Sequence, residues 1–185
     1  MHKEPWQNYY LNGQPVGTPH TYGAPIPSGQ LAGIATVFMW RQHNEKLQIL
    51  LQTRAKNKRV FPDYLDVSAA GHIGFGELPL QAALRETHEE LGLKLADDDL
   101  RFVGALVLAT TYAGRTDHEL HFIYAYKVEQ ELQTNFTDQE VTAVDWYDID
   151  EIAQAVKDGH LKLAKADSPL FDFALSAIKR LSKTL

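Results

Sequence analysis

Between residues 71 and 93 the chain places Arg85, Glu86, Glu89 and Glu90 within six positions, behind the glycine-rich approach Gly71-His72-Ile73-Gly74-Phe75-Gly76-Glu77. Carboxylates this close repel one another unless positive charge sits between them. Arg85 stands four residues before Glu89 and can pair with it or with Glu77. The remaining repulsion calls for a divalent metal, and hard cations such as Mg²⁺ or Mn²⁺ take oxygen ligands of this kind.

The spacing predicts a helix. Pro79 suits a first helical turn. Leu80, Leu84 and Leu91, with Thr87 among them, recur at helical intervals and are expected to bury against a sheet. Glu86, Glu89 and Glu90 then share one face, because i, i+3 and i+4 neighbours point the same way. Gly92 stands where a left-handed C-terminal residue belongs. The bland alternative is a solvated acidic helix face, which most glutamate-rich helices present.

A family pattern favours the metal reading. Gly71, five residues, Glu77, seven residues, Arg85-Glu86, two residues, Glu89-Glu90, one residue, Gly92 and Leu93 resembles the Nudix box. Two positions depart from it. Thr87 stands where the family usually carries an aliphatic residue, and Leu78 is a poor helix cap. The resemblance implies an α/β (α+β) fold, an α/β/α sandwich around a mixed β-sheet, with the box as strand, loop and helix. It implies hydrolysis of a diphosphate linked to another moiety. Carried over by position, Glu86, Glu89 and Glu90 would hold Mg²⁺ or Mn²⁺, with Glu77 and the Ala70 carbonyl completing the metal site. Arg85 would orient the acidic side chains. A carboxylate must also accept a proton from the attacking water. Glu89, Glu90, Glu119 beside Asp117, and Glu140 are the candidates.

The rest of the chain narrows the setting. Its 185 residues suit one domain with a real core. Net charge is −6, without a long basic tract, which argues against a nucleic-acid partner. The absence of cysteine excludes disulfides, thiolate metal sites and a cysteine nucleophile. No run approaches membrane-spanning length and no signal pattern opens the chain, so a cytoplasmic protein is expected. Residues 1–30 read as an N-terminal β-hairpin and arm, turning at Asn12-Gly13. Trp6, Tyr9, Tyr10 and Tyr22 argue that this arm is ordered, and it could cross to a second subunit in a homodimer. Residues 31–185 form the catalytic domain. Strands are expected over 31–40, 47–53, 100–111, 119–129 and 141–147. Helices are expected over 151–158, capped by Asp148 or Asp150, and from Ser168-Pro169 to about Leu181.

Two further features bear on the substrate. Arg54, Lys56, Lys58 and Arg59 lie within one six-residue loop. It is either a solvated loop or a clamp for phosphate oxygens built on Arg54 and Lys58. Arg54, Lys58, Phe61-Pro62 and 65–72 also resemble the Nudix subgroup related to isopentenyl diphosphate isomerase. That enzyme protonates an alkene using a cysteine, and here the cysteine position is Ala70. A histidine of its metal site is replaced by Leu31. The hydrolytic box that the isomerases tend to lose is intact. Hydrolysis of a small-molecule diphosphate is therefore expected, with an isomerase-like enzyme and a non-catalytic diphosphate sensor as rivals. His72 is either a ligand or substrate contact, or a packed loop histidine. Tyr112, Tyr124 and Trp146 could stack a base or fill the core.

Overall fold

A computed structural model describes residues 4–21, 23–112, 114–136, 139–166 and 168–184; Tyr22 and the side chain of Tyr112 lie outside what is described. The chain runs β1 (Asn8–Tyr10), β2 (Gln30–His43), β3 (Lys46–Arg54), β4 (Leu65–Asp66), β5 (Ala69–His72), α1 (Pro79–Leu91), a short 3₁₀ turn (Asp97–Asp99), β6 (Arg101–Tyr112), β7 (Arg115–Lys127), β8 (Val141–Asp148), α2 (Ile149–Lys157) and α3 (Leu170–Leu181). The sheet order is β4-β3-β2-β7-β6, with β1 and β5 also on β2 and β8 on β3. β2 and β7 run parallel, while β6 and β7 form an antiparallel hairpin. This is the mixed sheet that the sequence implies.

β2 reads as one apolar run because both of its faces are covered. Phe38 and Trp40 join Ile49, Leu51, Ile123, Phe171 and Ile178 in one core, beneath α2 and α3. Val37 and Met39 join Leu50, Ala82, Ala83 and Leu91 in the other, beneath α1. Phe38 meets Phe171 edge to face at 5.5 Å, a contact worth about 0.5–1.5 kcal/mol beyond its buried area.

β2 changes partners part-way along. Residues Ile34 to Val37 pair with β5, and Trp40 to His43 pair with β3. Ser68 bridges the change. Its hydroxyl accepts from the Met39 amide at 2.8 Å and donates to the Leu50 carbonyl at 2.6 Å. The strands splay here, and the end of α1 faces the splay.

The first hairpin is longer than expected. Residues 41–43 and 46 extend the strands, and the turn is Asn44-Glu45, both with positive φ. The Asn12-Gly13 turn is present, with Tyr10 N–H donating to the Gln14 carbonyl at 2.8 Å. Its outgoing limb is short, and β1 pairs chiefly with β2 instead. Asp148 does not cap α2 through its side chain. It bonds Lys46 and Gln48 across the sheet instead.

In α1 the buried positions are Ala82, Ala83, Thr87, Glu90 and Leu91, whereas Leu80 and Leu84 are only half-buried. The apolar stripe is thus rotated toward the carboxylates. Small Ala82 and Ala83 let the helix approach β5 closely. Thr87 is wholly buried and its hydroxyl has no hydrogen-bond partner. Such an orphan costs about 1–3 kcal/mol. Thr87→Val removes it at constant shape and is expected to raise the melting temperature by about 2–4 °C. A calorimetric scan showing a lower melting temperature would mean that the hydroxyl has a partner in solution.

Candidate active site

The site is built from the β5–α1 loop and the exposed edge of α1. Gly92 closes the helix at φ 72°, its amide bonded to the His88 carbonyl. At the other end, Glu77 Oε2 accepts from the Gly74 amide at 2.8 Å, which folds the loop back on itself.

Arg85 gathers the acids. Its Nε and Nη2 meet Glu77 Oε1 and Oε2 at 2.9 and 3.0 Å, a bidentate pair. Nη1 donates to Glu86 at 2.7 Å and to Glu89 at 3.0 Å, and Nη2 also reaches the His72 carbonyl at 3.0 Å. Both partners expected for Arg85 are therefore found, and a third is added. Burial tends to raise the Glu77 carboxyl, but Arg85 and the Gly74 amide hold it below the usual range.

Glu86 lies against Gly71, where any Cβ would overlap its carboxyl group. Only glycine lets this carboxylate lie on β5. Burial pushes Glu86 up to about 7, with Glu89 and Glu140 adding to the rise and Arg85 opposing it. Glu90 is buried at the splay, where its Oε2 accepts from the Ala70 amide at 3.0 Å and from Gln52 at 3.2 Å. Gln52 Oε1 is itself a buried acceptor without a donor. Glu89 is the open member of the set, with 48% of its side chain exposed.

Among the described residues, no group of three or more His, Asp or Glu side chains is arranged to hold a metal ion as it stands. The physical reason is visible in the bonds: Arg85 draws Glu77, Glu86 and Glu89 to itself, and Glu90 turns to Ala70 and Gln52. The donor set nonetheless suits a hard cation. It consists of carboxylate oxygens, among them those of buried Glu90, beside the Gln52 amide oxygen that lacks a donor.

The proposed phosphate clamp has a different local role. Arg54 Nη1 pairs with buried Asp66 at 2.8 Å, and its Nε and Nη2 donate to the Val60 carbonyl at 3.2 and 3.0 Å. It staples a loop in which Phe61 and Asp63 both adopt positive φ. Lys58 pairs with Glu140. Arg54 and Lys58 are thus held by the protein's own acids, while Trp146 packs under the Arg41 guanidinium, 4.2 Å from the ring centroid. Tyr124 belongs to the core under α1, against Phe102.

Glu119 lies on the other face of the sheet from the box helix, where residues 119, 121 and 123 of β7 share a side and Ile123 enters the α2–α3 core. Its Oε2 accepts from His121 Nε2 at 2.9 Å, Lys165 Nζ at 3.1 Å and Thr110 Oγ1 at 3.2 Å. The Glu119 carboxylate can only accept, so Nε2 carries the proton, and Nδ1 of the neutral ring then accepts from the Thr36 hydroxyl at 2.9 Å. Burial opposes ionisation of Glu119, but the Lys165 ammonium and the His121 ring outweigh it and hold the carboxyl well below its ordinary range. His72 points to this same face and stacks on Trp6 at 3.6 Å; burial lowers it to about 4 and keeps the ring neutral. The i, i+2 pattern of Glu119 and His121 is visible in the sequence. Lys165, Gln52 and the Trp6 stack have no local signal.

A family profile described as NUDIX domain matches residues 32–167, and the chain belongs to that family. An uncharacterised Nudix hydrolase of Listeria monocytogenes is 39% identical over 92 residues, covering 50% of this chain and 53% of its own length. The chain thus spans about half the length of the first curated relatives it matches. The isopentenyl-diphosphate Delta-isomerase of Escherichia coli is 26% identical over 144 residues, 78% of this chain and 76% of that one. A Deinococcus radiodurans crystal structure superposes with a TM-score of 0.70 at 18% identity, over 91% of this chain and 98% of that one. The NUDIX domain of Shewanella oneidensis NrtR, complexed with ADP ribose, gives 0.62 at 16% identity, over 82% and 88%. These structures share the Nudix fold with this chain.

Arg54→Ala leaves the buried Asp66 carboxylate without its cation and is expected to destabilise the fold by about 1–3 kcal/mol. Urea unfolding of Arg54→Ala and of Arg54→Ala/Asp66→Ala should show the double variant recovering part of the loss. Equal losses in the two would assign Arg54 to something other than this pair.

Proposed function

We propose that the protein hydrolyses a diphosphate linkage in a nucleoside diphosphate derivative or a related small molecule, with Mg²⁺ or Mn²⁺ as cofactor. The observation that carries this reading is the complete acidic edge of α1, ordered by Arg85 and set against Gly71. Glu86, Glu89 and Glu90 would hold the cation, with Glu77 and the Ala70 carbonyl supporting them. When bound, it supplies the positive charge that offsets the diphosphate oxygens and makes a water molecule acidic enough to attack.

The protein's own residues divide the remaining work. Arg85 keeps Glu77, Glu86 and Glu89 in register while their charges are neutralised by other partners. Glu90, tied to the Ala70 amide and Gln52, is fixed in place and suits binding rather than proton transfer. Glu89, with 48% of its side chain exposed, is the carboxylate best suited to accept a proton from water. Glu140, which Lys58 holds near Glu86, is the second candidate. Arg54 acts by shaping the 54–64 loop, and Lys58 is placed to meet a phosphate if Glu140 releases it.

The isomerase relatives favour a second reading, isomerisation of isopentenyl diphosphate. Ala70 argues against it, since a methyl group can neither donate nor accept a proton. Among the described residues no helix is long and apolar enough to cross a membrane, which is compatible with a cytoplasmic setting.

A panel of diphosphate compounds should release phosphate, directly or after phosphatase treatment of the products, only with Mg²⁺ or Mn²⁺ present. Glu89→Gln is expected to lower kcat by about 100-fold or more with an unchanged melting temperature, and Glu90→Gln to lose activity as well. Isopentenyl diphosphate should show no isomer by NMR. Silence across the panel with both metals would favour a diphosphate sensor, and an isomer signal would favour the second reading.

A further inference from the structure

The loop between β5 and α1 does not stand alone. Residues 5–7, ahead of β1, lie along it as a strap. The Gln7 amide donates to the Ile73 carbonyl at 2.8 Å, and the Phe75 amide donates to the Pro5 carbonyl at 3.0 Å. Between them Trp6 faces Gly74 in antiparallel register. The Trp6 ring stacks on His72, with centroids 3.6 Å apart and planes at 16°. At the far end of the loop the Gly76 amide donates to Gln7 Oε1 at 3.2 Å. The residues of the acidic edge alone give these contacts no task.

The strap is built into the sheet. On its other side the Gly33 amide of β2 donates to the Gln7 carbonyl at 3.0 Å, and the Gly33 carbonyl accepts from the Ile73 amide at 2.9 Å. A Cβ at Gly33 would stand 2.4 Å from the Tyr9 ring and 2.9 Å from the Gln7 carbonyl oxygen, so β2 needs glycine there to admit the arm. Gln7 itself is buried. Its Nε2 donates to the Asn8 and Val16 carbonyls, each at 2.8 Å. These two acceptors fix which way the amide points and turn Oε1 to the loop. Gly76, whose amide Oε1 accepts, has φ 81° and directly precedes Glu77. The turn is closed by the Glu77 amide donating to the Gly74 carbonyl at 2.9 Å and the Gly74 amide donating to Glu77 Oε2 at 2.8 Å.

Both ends of the strapped segment are anchor points of Arg85. Its Nη2 meets the His72 carbonyl at 3.0 Å, and its Nε and Nη2 meet Glu77. Trp6 stacks on the first of these residues, and Gln7 bonds the neighbour of the second. We propose that Trp6 and Gln7 are positioning residues of the cation site, acting through the β5–α1 loop on the pose of Arg85 and so on Glu86 and Glu89. The proposal rests on the reading of the acidic edge as a cation site. A loop left to sample many shapes must be ordered when the ion binds, which lowers affinity. The strap orders it beforehand. Residues 5–7 thereby belong to the site, although none of them touches the ion.

The test uses the full chain and two readouts. One is Mn²⁺ affinity, followed by electron paramagnetic resonance of the free ion. The other is the NMR signal of the Arg85 Nε–H group in the metal-free protein, which reports its bond to Glu77. Gln7→Met keeps the length of the side chain and removes the bond to Gly76. It is expected to weaken Mn²⁺ binding by about three- to tenfold and to move or broaden the Arg85 signal. Trp6→Ala should do the same, and Trp6→Phe, which keeps a ring on His72, should restore both. Thermal melts identify a variant that has failed to fold, and either substitution then stands in for the other. A lower melting temperature with Mn²⁺ affinity unchanged would make the strap merely structural and overturn the proposal. Weaker binding with the Arg85 signal unmoved would overturn the route through Arg85. If the wild type binds no Mn²⁺, the cation reading fails; the positioning claim is then upheld by a displaced Arg85 signal in Gln7→Met and overturned by an unmoved one.

Discussion

The site depends on one guanidinium. Arg85 meets Glu77 with a two-point contact, touches Glu86 and Glu89, and reaches the His72 carbonyl. Its planar fork can do this because its donors diverge in one plane, which an ammonium could not reproduce. Loop, helix and strand are thereby tied at a single point. Without that point the acidic edge of α1 would be a set of mutually repelling chains facing water.

The sheet supplies the other half of the design. β2 leaves β5 and takes up β3, and Ser68 spans the transition. The splay exposes the Ala70 amide and the Gln52 side chain to the end of α1. Glu90 can therefore be buried, because two donors await it there. Small residues at Ala69 and Gly71, on the face toward Ala82 and Ala83, allow the helix and strand to approach closely enough for Glu86 to rest on Gly71. Acidic edge and sheet topology are in this sense one structure.

Much of this was legible in the residue order. The helix from Pro79, its termination at Gly92 and the shared face of Glu86, Glu89 and Glu90 follow from spacing alone. The strands followed from apolar runs, though their ends were longer because Arg41, Gln42 and His43 pair with β3 despite being polar. What could not be read was the partnering of charged side chains over long sequence distances. Arg54 and Lys58 look like a phosphate clamp in sequence, yet Asp66 and Glu140 engage them. Lys165 lies in a loop without a motif and reaches Glu119 only because β4 anchors that loop. The rotation of the buried stripe toward Thr87 and Glu90 was hidden for a similar reason: the helix sits where the alanines permit, not where the leucines are most numerous.

The central claim is that the carboxylates ordered by Arg85 bind a divalent cation. Titration of the protein with Mn²⁺, followed by the loss of the free-ion electron paramagnetic resonance signal, tests it without reference to any substrate. The account predicts saturable binding that Mg²⁺ competes away and that Glu86→Gln and Glu90→Gln each weaken by at least about tenfold, as expected when a charged ligand is lost. Mn²⁺ affinity unchanged by either substitution, in variants that still fold, would contradict it.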